Sequence, residues 1–446
     1  MTPPSDGSKR RAAKTAKGRG GKSRAAKPLV ADPHLRPALK GTQGRLFANP
    51  QPAPDETSFL IDNTSAAYYK SEEYKRHLKE LQAVPPPRSV PPRMDLAEIL
   101  GGESLQSIVA SRKLVFHAVG DTGAAKVDRR QTVEEALQHQ GWVADAMTLD
   151  VQRGGDSSPS FFFHLGDVVY NWGEEQYYYD QFYEPYRGYD APIFAIPGNH
   201  DGGVEYEHGA TTPVTPTLQA FRRNFCAPAA EPAPAAHGLL RSTMTQPGVY
   251  FSLDAPYATI IGLYTNVLET VGVISSHGGV YPIGNEQLDF LTAELERLKA
   301  LESVQKRERA VIVACHHPPV SIDSKSGGTI GLAEDIDRAC TQAQFWPDAV
   351  LSGHAHLYQH YVRTLPSGKK IPYIVSGSGG FAATPPKGKL EPAPVTFGEY
   401  TRMIEPIVHF GYLTVTIDAN QSPAGLSIAF RSCDGSETHD EYNGSL

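Results

Sequence analysis

The chain has 446 residues, 40% of them hydrophobic and 20% charged, which is ample for one large core or two domains. It contains no run of 18 apolar residues, so a membrane-spanning helix is not expected. The formal charge of -7 is unevenly spread: residues 1–30 carry nine Lys/Arg and a single acid, Asp6, which leaves the remainder at net -15.

The basic segment is rich in Ala, Gly, Ser and Lys and lacks the apolar residues that would offset the entropy of ordering, so it reads as disordered. Its charge suits an anionic partner such as nucleic acid, and serves equally as a solubilising extension. No aromatic residue is interleaved with the charges, which argues against stacking on a single strand. Arg10-Arg11 is not followed by an apolar stretch, so neither a secretory nor a twin-arginine signal is expected. Cys226, Cys315, Cys340 and Cys433 show no paired spacing, which excludes a Cys-type zinc site and a disulfide framework as expectations. A reducing, cytoplasmic setting is the simpler reading.

In chain order, residues 1–95 read as a basic, Pro-rich extension with one helical stretch, Ser65 to Leu81, and a linker at Pro85 to Pro92. Asp95 to Val109 is expected to form a short helix. Leu114 to Val119 reads as a strand that ends at Asp121, and residues 131–150 as a helix. Phe161 to Leu165 and Ile193 to Ile196 are strands ending at Asp167 and Asn199. Gly202 to Pro247 is long, Pro- and Ala-rich and weakly periodic; such an excursion, directly after a site block, is expected to be a lid. Val249 to Leu253 and Ala258 to Leu263 read as an antiparallel pair. Asn285 has the form of an N-cap, followed by a leucine face from Leu288 to Leu301. Strands at Ala310 to Ala314 and Ala349 to Leu351 end at His316 and His354. Ile371 to Val375, Tyr412 to Ile417 and Leu426 to Phe430 complete the set. Alternating strands and helices followed by extra strands predict an α/β layered sandwich. The catalytic domain is expected to span 96–430, with the possible lid at 202–247 and a tail at 431–446.

The informative feature is a series of five blocks at strand ends: Gly120-Asp121-Thr122-Gly123, Gly166-Asp167-Val168-Val169-Tyr170, Gly198-Asn199-His200-Asp201, Val313-Ala314-Cys315-His316 and Gly353-His354-Ala355-His356. A two-metal hydrolase holds its cations about 3.5–4 Å apart and needs hard oxygen and imidazole donors converging from rigid points. The glycine opening four of the blocks is expected to allow a sharp exit from the strand. Taken singly, Asp121, Asp167 and Asn199 could also be turn caps, and Tyr170 could simply pack among its neighbouring tyrosines. Asp201 is expected to orient His200 or cap the next turn. His117 and His164 read as core histidines, and His360 as a surface one.

These blocks resemble the binuclear, calcineurin-like metallophosphoesterases, and in particular the purple acid phosphatase branch, with its pattern GDxG, GDxxY, GNH(D/E), VxxH and GHxH. The resemblance covers roughly residues 113–417 and implies a four-layer α/β/β/α sandwich with two mixed sheets. Many metallophosphoesterases have a ligand His two residues after the first Asp, where this chain has Gly123; the resemblance implies that Tyr170 replaces it. It further implies that Asp121, Tyr170 and His356 hold one metal, that Asp167 bridges, and that Asn199, His316 and His354 hold the second. The implied centre is Fe(III) with a divalent Fe, Zn or Mn. A metal-bridging hydroxide would attack phosphorus in line, with His200 contacting the phosphoryl group or leaving group. His317 is a candidate substrate contact, since Ser321 to Gly328 lacks the further histidine of eukaryotic members. The expected substrate is a small phosphomonoester; the alternative is a diester, either a cyclic nucleotide or a lipid headgroup.

Overall fold

The computed structural model describes Glu72 and residues 83–446, apart from 124–132, 156, 171–172, 203–215, 266–271, 282, 305–307, 323–327 and 387–394. The strands are β1 (Arg93–Asp95), β2 (Lys113–Val119), β3 (Phe162–His164), β4 (Ile193–Ala195), β5 (Phe251–Ala255), β6 (Ala258–Gly262) and β7 (Ala310–Cys315). They continue with β8 (Ala349–Ser352), β9 (Tyr358–Thr364), β10 (Lys370–Ser376), β11 (Glu399–Arg402), β12 (Gly411–Asp418), β13 (Gly425–Ser432) and β14 (His439–Ser445). The helices are α1 (Gly102–Ser111), α2 (Val133–Arg153), α3 (Gln219–Phe225), α4 (Glu286–Val304) and α5 (Ile330–Ala343).

Two mixed sheets result. One runs β1-β5-β6-β7-β8-β10-β9-β11 and the other β14-β13-β12-β2-β3-β4. Strand alternation explains how they stack. On β2, Leu114, Phe116 and Ala118 face one core while Val119 joins another; on β7, Ala310, Ile312 and Ala314 alternate with Val311, Val313 and Cys315. The first set meets Leu413, Val415 and Ile417 of β12 and fills the space between the sheets. The second set is covered by helices: Val143 and Met147 of α2, Leu291 and Leu295 of α4, and Ile336 and Ala339 of α5. The layers are therefore helix, sheet, sheet, helix, as the resemblance implied.

β2, β3 and β4 are parallel in one sheet, and β6, β7, β8 and β10 in the other. Their carboxyl ends meet along one edge of the sandwich, the usual place for a site in such sheets. The β5–β6 pair is antiparallel, as expected.

Several expectations change. The basic tail and nearly all of the Ser65 to Leu81 stretch lie outside the described residues. The Pro-rich linker is tied down: Arg88 donates to the carbonyls of Thr245 and Gln246, and β1 pairs with β5. Asp95 to Val109 is not one helix. Asp95 caps a short turn at Leu96–Glu98, and α1 starts only after Gly101. Asn285 stands at the N-cap position of α4 as expected, its carbonyl accepting the Asp289 N–H at 2.8 Å, while its side-chain oxygen accepts from Ser276. Residues 431–446 are no tail, because β14 pairs along β13 from Arg431 to Ser445.

The presumed lid divides. Residues 203–215 lie outside the described residues, but 216–247 form a packed flank. There Phe221 and Phe225 of α3 join the core, and the Gln246 amide bonds both the N–H and the carbonyl of Ala195 on β4, each at 2.8 Å. The described part of the excursion is thus a scaffold for β4 rather than a cover.

Candidate metal centre

The first block leaves β2 at Gly120. Asp121 then turns with φ 60, as Asp167 does with φ 55 after β3 and His354 with φ 67 after β8. The left-handed turns therefore fall on the ligand-type residues themselves, a strained conformation typical of functional sites. Gly120, Gly198 and Gly353 serve instead by lacking a side chain: a Cβ on Gly198 would lie 2.1 Å from Asp167 Oδ1, and one on Gly353 2.8 Å from Asp121 Oδ2. Only Gly166, with φ +97, meets the expectation of a glycine-specific turn.

The side chains converge in two nests. In one, Asp121 Oδ1 receives the Tyr170 hydroxyl at 3.2 Å and lies 3.3 Å from His356 Nε2. In the other, Asn199 Oδ1 lies 3.1 Å from His316 Nε2 and 2.9 Å from His354 Nδ1, and those two nitrogens are 3.1 Å apart. Asp167 reaches towards both nests: its Oδ2 lies 3.4 Å from His316 Nε2, and its charge acts on the Tyr170 phenol. Its other oxygen accepts the His200 N–H at 2.9 Å. The structure thus brings together all seven residues named from the sequence.

Hydrogen bonds from the scaffold aim these groups. His316 Nδ1 donates to the Leu165 carbonyl at 2.9 Å, which fixes the ring's orientation and turns Nε2 inward. Asp121 Oδ2 accepts the His354 N–H at 2.7 Å, leaving Oδ1 for the nest. Asp201 accepts from the backbone of Val168, Val169 and Gly198, so it pins the second block to the third. It acts as a cap between two loops, wider than the local cap expected. The Gln181 amide brackets the Tyr170 backbone, accepting from its N–H and donating to its carbonyl, both at 2.9 Å.

The electrostatics match this geometry. Burial alone would raise the Asp167 carboxyl, yet His316, His200 and His354 hold it well below the usual carboxylate range. Burial lowers His316, but Asp167 overrides it and brings the imidazole up to about 9. His354 is pushed well down by burial, His317 and His316. The Tyr170 phenol is pushed well up by burial, Asp121 and Asp167.

The donor set fits cations. Two imidazole nitrogens and an amide oxygen point at one another at close range, and no arrangement of protons serves all three as well as a shared positive ion. The donor atoms of Asp167, His316 and His354 lie within 4.8 Å of one another, close enough for one metal ion. Asp121, Tyr170 and His356 give a second, oxygen-rich nest suited to a harder ion.

The other histidines fall as follows. His200 is buried with its ring 4.4 Å from that of Tyr170. His317 is also buried; Nδ1 pairs with Thr265 Oγ1 at 2.9 Å, its ring lies 4.4 Å from that of His354, and Nε2 has no partner among the described residues. His164 bonds Thr122 Oγ1 and the Gly166 N–H, and His117 meets Tyr189 and Asp150, so both are core histidines as expected. His360 is not a surface residue: it is buried and pairs with Asp440 of β14 at 2.7 Å. Sequence reasoning missed Gln181 and Phe381, which carry no motif of their own. The Ser376-Gly377-Ser378-Gly379-Gly380 run before Phe381 was the available signal, since such a run lets backbones approach closely.

The family model described as calcineurin-like phosphoesterase matches residues 114–358. Over 92 residues the chain is 35% identical to a probable cyclic nucleotide phosphodiesterase of Synechococcus sp. (strain WH7803), a match covering 20% of this chain and 32% of that protein. The chain thus spans about a third of the length of that curated relative. It is also similar to a solved structure of PhoD, with a TM-score of 0.40 and 13% identity, covering 75% of this chain and 70% of the other. The donor cluster of Asp167, His316 and His354 lies within the matched residues, and no helix among the described residues is long and apolar enough to cross a membrane. With more than half of its length matched from the start of β2 to the start of β9, the chain belongs to the calcineurin-like phosphoesterase family.

Proposed function

We propose that the chain is a two-metal phosphomonoesterase of purple acid phosphatase type. The observation that carries this reading is the Tyr170 hydroxyl 3.2 Å from Asp121 Oδ1, beside Gly123, where many relatives have a histidine. Asp121, Tyr170 and His356 would hold one cation, Asn199, His316 and His354 would hold the other, and Asp167 would be shared. Bound there, the cations supply Lewis acidity and lower the pKa of water towards neutrality.

The chain's own groups do the rest. The Leu165 carbonyl keeps His316 Nε2 facing inward, and Asp201 keeps the Asp167 and Asn199 loops in register. His200, fixed through its backbone to Asp167, hydrogen-bonds the phosphoryl group and protonates or orients the leaving oxygen. His317 is assigned to the substrate on its unpartnered Nε2. The Tyr170 phenol oxygen beside the Asp121 carboxylate offers the hard oxygen donors that a strongly acidic ion demands. Trivalent iron fits that demand, and the nitrogen-rich nest suits a divalent Fe, Zn or Mn.

A second reading, hydrolysis of diesters such as cyclic nucleotides, is favoured by the local identity to the Synechococcus protein. The test compares a chromogenic phosphomonoester with the matching diester. It uses full-length protein loaded with iron plus zinc or manganese, with His354→Ala as the blank. Faster monoester turnover supports the first reading and faster diester turnover the second. No turnover of either ester by a metal-replete preparation refutes both.

A further inference from the structure

Phe381 is buried and belongs to a small cluster of its own with Tyr170 and Ala382. Its ring lies face to face with that of Tyr170, centroids 3.6 Å apart and planes within 8°. Aromatic pairs left to themselves settle offset or edge-on, with centroids about 4.5–7 Å apart. This closer overlay is therefore imposed by the chain around it.

The imposing elements can be named. The Phe381 N–H donates to the Asp121 carbonyl at 3.0 Å, and the Gly379 N–H to the Gly120 carbonyl at 3.1 Å. Further along the same loop, the Thr384 N–H donates to the His356 carbonyl at 2.9 Å. The loop is thus stapled to two of the segments that supply the oxygen-rich nest. Gly380 has φ +137, and a Cβ there would lie 2.7 Å from the Gln140 Cα, so the loop is seated against α2 as well. A Cβ on Gly123 would come within 2.8 Å of Tyr170 Cδ2. The Tyr170 ring therefore sits in a slot with Gly123 and Phe381 among its walls. Phe381 also presents its ring edgewise to His356, centroids 5.0 Å apart at 75°. One side chain therefore touches both ring-bearing donors of a single nest.

We propose that Phe381 is a positioning residue that fixes the ring plane of Tyr170, and with it the angle at which the phenol oxygen meets the metal. This rests on Tyr170 being a ligand of iron. Overlap between a phenolate oxygen and a ferric ion depends on that angle and on the ring's rotation, so the visible phenolate-to-iron charge-transfer band reports both directly. A residue that merely filled space would leave the band alone.

The experiment records that band and the iron content of the full-length protein loaded with iron and zinc. The variants are Phe381→Ala, Phe381→Leu, Phe381→Tyr and Tyr170→Phe. The expected result is loss of the band in Tyr170→Phe, and a shifted, weakened band with iron retained in Phe381→Ala and Phe381→Leu. Phe381→Tyr keeps a flat ring in the slot and should restore the wild-type band. If Phe381→Ala fails to fold, Phe381→Leu, which keeps most of the volume but not the planar face, decides the matter. A band that Tyr170→Phe removes but that both Phe381 replacements leave at wild-type position and intensity overturns the inference alone. Bound iron with no band in the wild type overturns the ligand reading, and this inference with it.

Discussion

Replacing Gly198 by Ala tests how tightly the scaffold defines the metal centre. The new methyl group would lie 2.1 Å from Asp167 Oδ1, 2.4 Å from Asp167 N and 2.8 Å from Asp167 Cγ. Reaching the 3.4 Å of ordinary contact from 2.1 Å requires the carboxylate to retreat by about 1.3 Å. The nearby nitrogen is backbone, and Asp201 accepts from the N–H of the residue after it, Val168, and from that of Gly198, so the strain cannot be relieved by rotating a flexible side chain. Overpacking of this kind costs about 1–3 kcal/mol. A displacement of about 1 Å at a reacting centre costs about 100-fold in rate. The expected outcome is a small fall in the urea midpoint of the metal-free protein, with a far larger loss of metal content and phosphoester turnover. Gly141→Ala, inside α2 with nothing within 4 Å, is the control and should gain about 0.5–1 kcal/mol. Wild-type metal stoichiometry and turnover within about two-fold in Gly198→Ala would refute the reasoning, because the carboxylate would then have room that the geometry denies it.

Asp201→Ala should cost about 3 kcal/mol or more, since three buried N–H groups lose their shared acceptor, and Asp201→Asn, which keeps one acceptor oxygen, should cost less; chemical denaturation of the two variants checks the order. Asp150 should contribute acid-sensitive stability. Burial would raise its carboxyl, but the neighbouring His117 and hydrogen bonds from Arg431 and Tyr412 hold it well below the usual range. A depressed folded-state value stabilises above the unfolded value of about 3.9 and is lost as pH falls through it towards the folded one. Asp150→Asn should therefore be less stable than wild type at neutral pH, and the gap between their urea midpoints should close in acid; a constant gap would contradict this. Asp337→Ala would strip Arg363, which is fully buried, of a two-point carboxylate contact at 2.7 Å on each arm, at a cost of about 3–5 kcal/mol in unfolding free energy.

The buried polar strand β9 shows where sequence reading stops. Its sequence, Tyr-Gln-His-Tyr-Val-Arg-Thr, has the polarity of a loop, yet six of its seven residues are buried. Each polar group is matched from a distance: Gln359 by Ser321 and the Ile322 N–H, His360 by Asp440, and Arg363 by Asp337. No local pattern announces partners 26 to 80 residues away. Strand β14 and helix α5, which carry Asp440 and Asp337, were missed for the same reason: their acids read as solvent-facing, and burial against a distant base is invisible in one dimension.

What the sequence by itself determined is the set of apolar strands and the ligand-type residues at their ends. Both are local facts, an apolar run and the residue types that terminate it. From them follow the alternation that builds two sheets and the seven side chains that the fold gathers. The tertiary structure alone decided what holds those side chains in place. Asp201 bridges loops more than 30 residues apart, Gln181 brackets Tyr170, and Phe381 lies on its ring from a loop more than 200 residues further along. Only the structure assigned the left-handed turns to Asp121, Asp167 and His354 and gave the glycines beside them the task of making room. The reason is physical: chain identity fixes which groups exist, whereas the distances between them are set by packing that brings remote segments together.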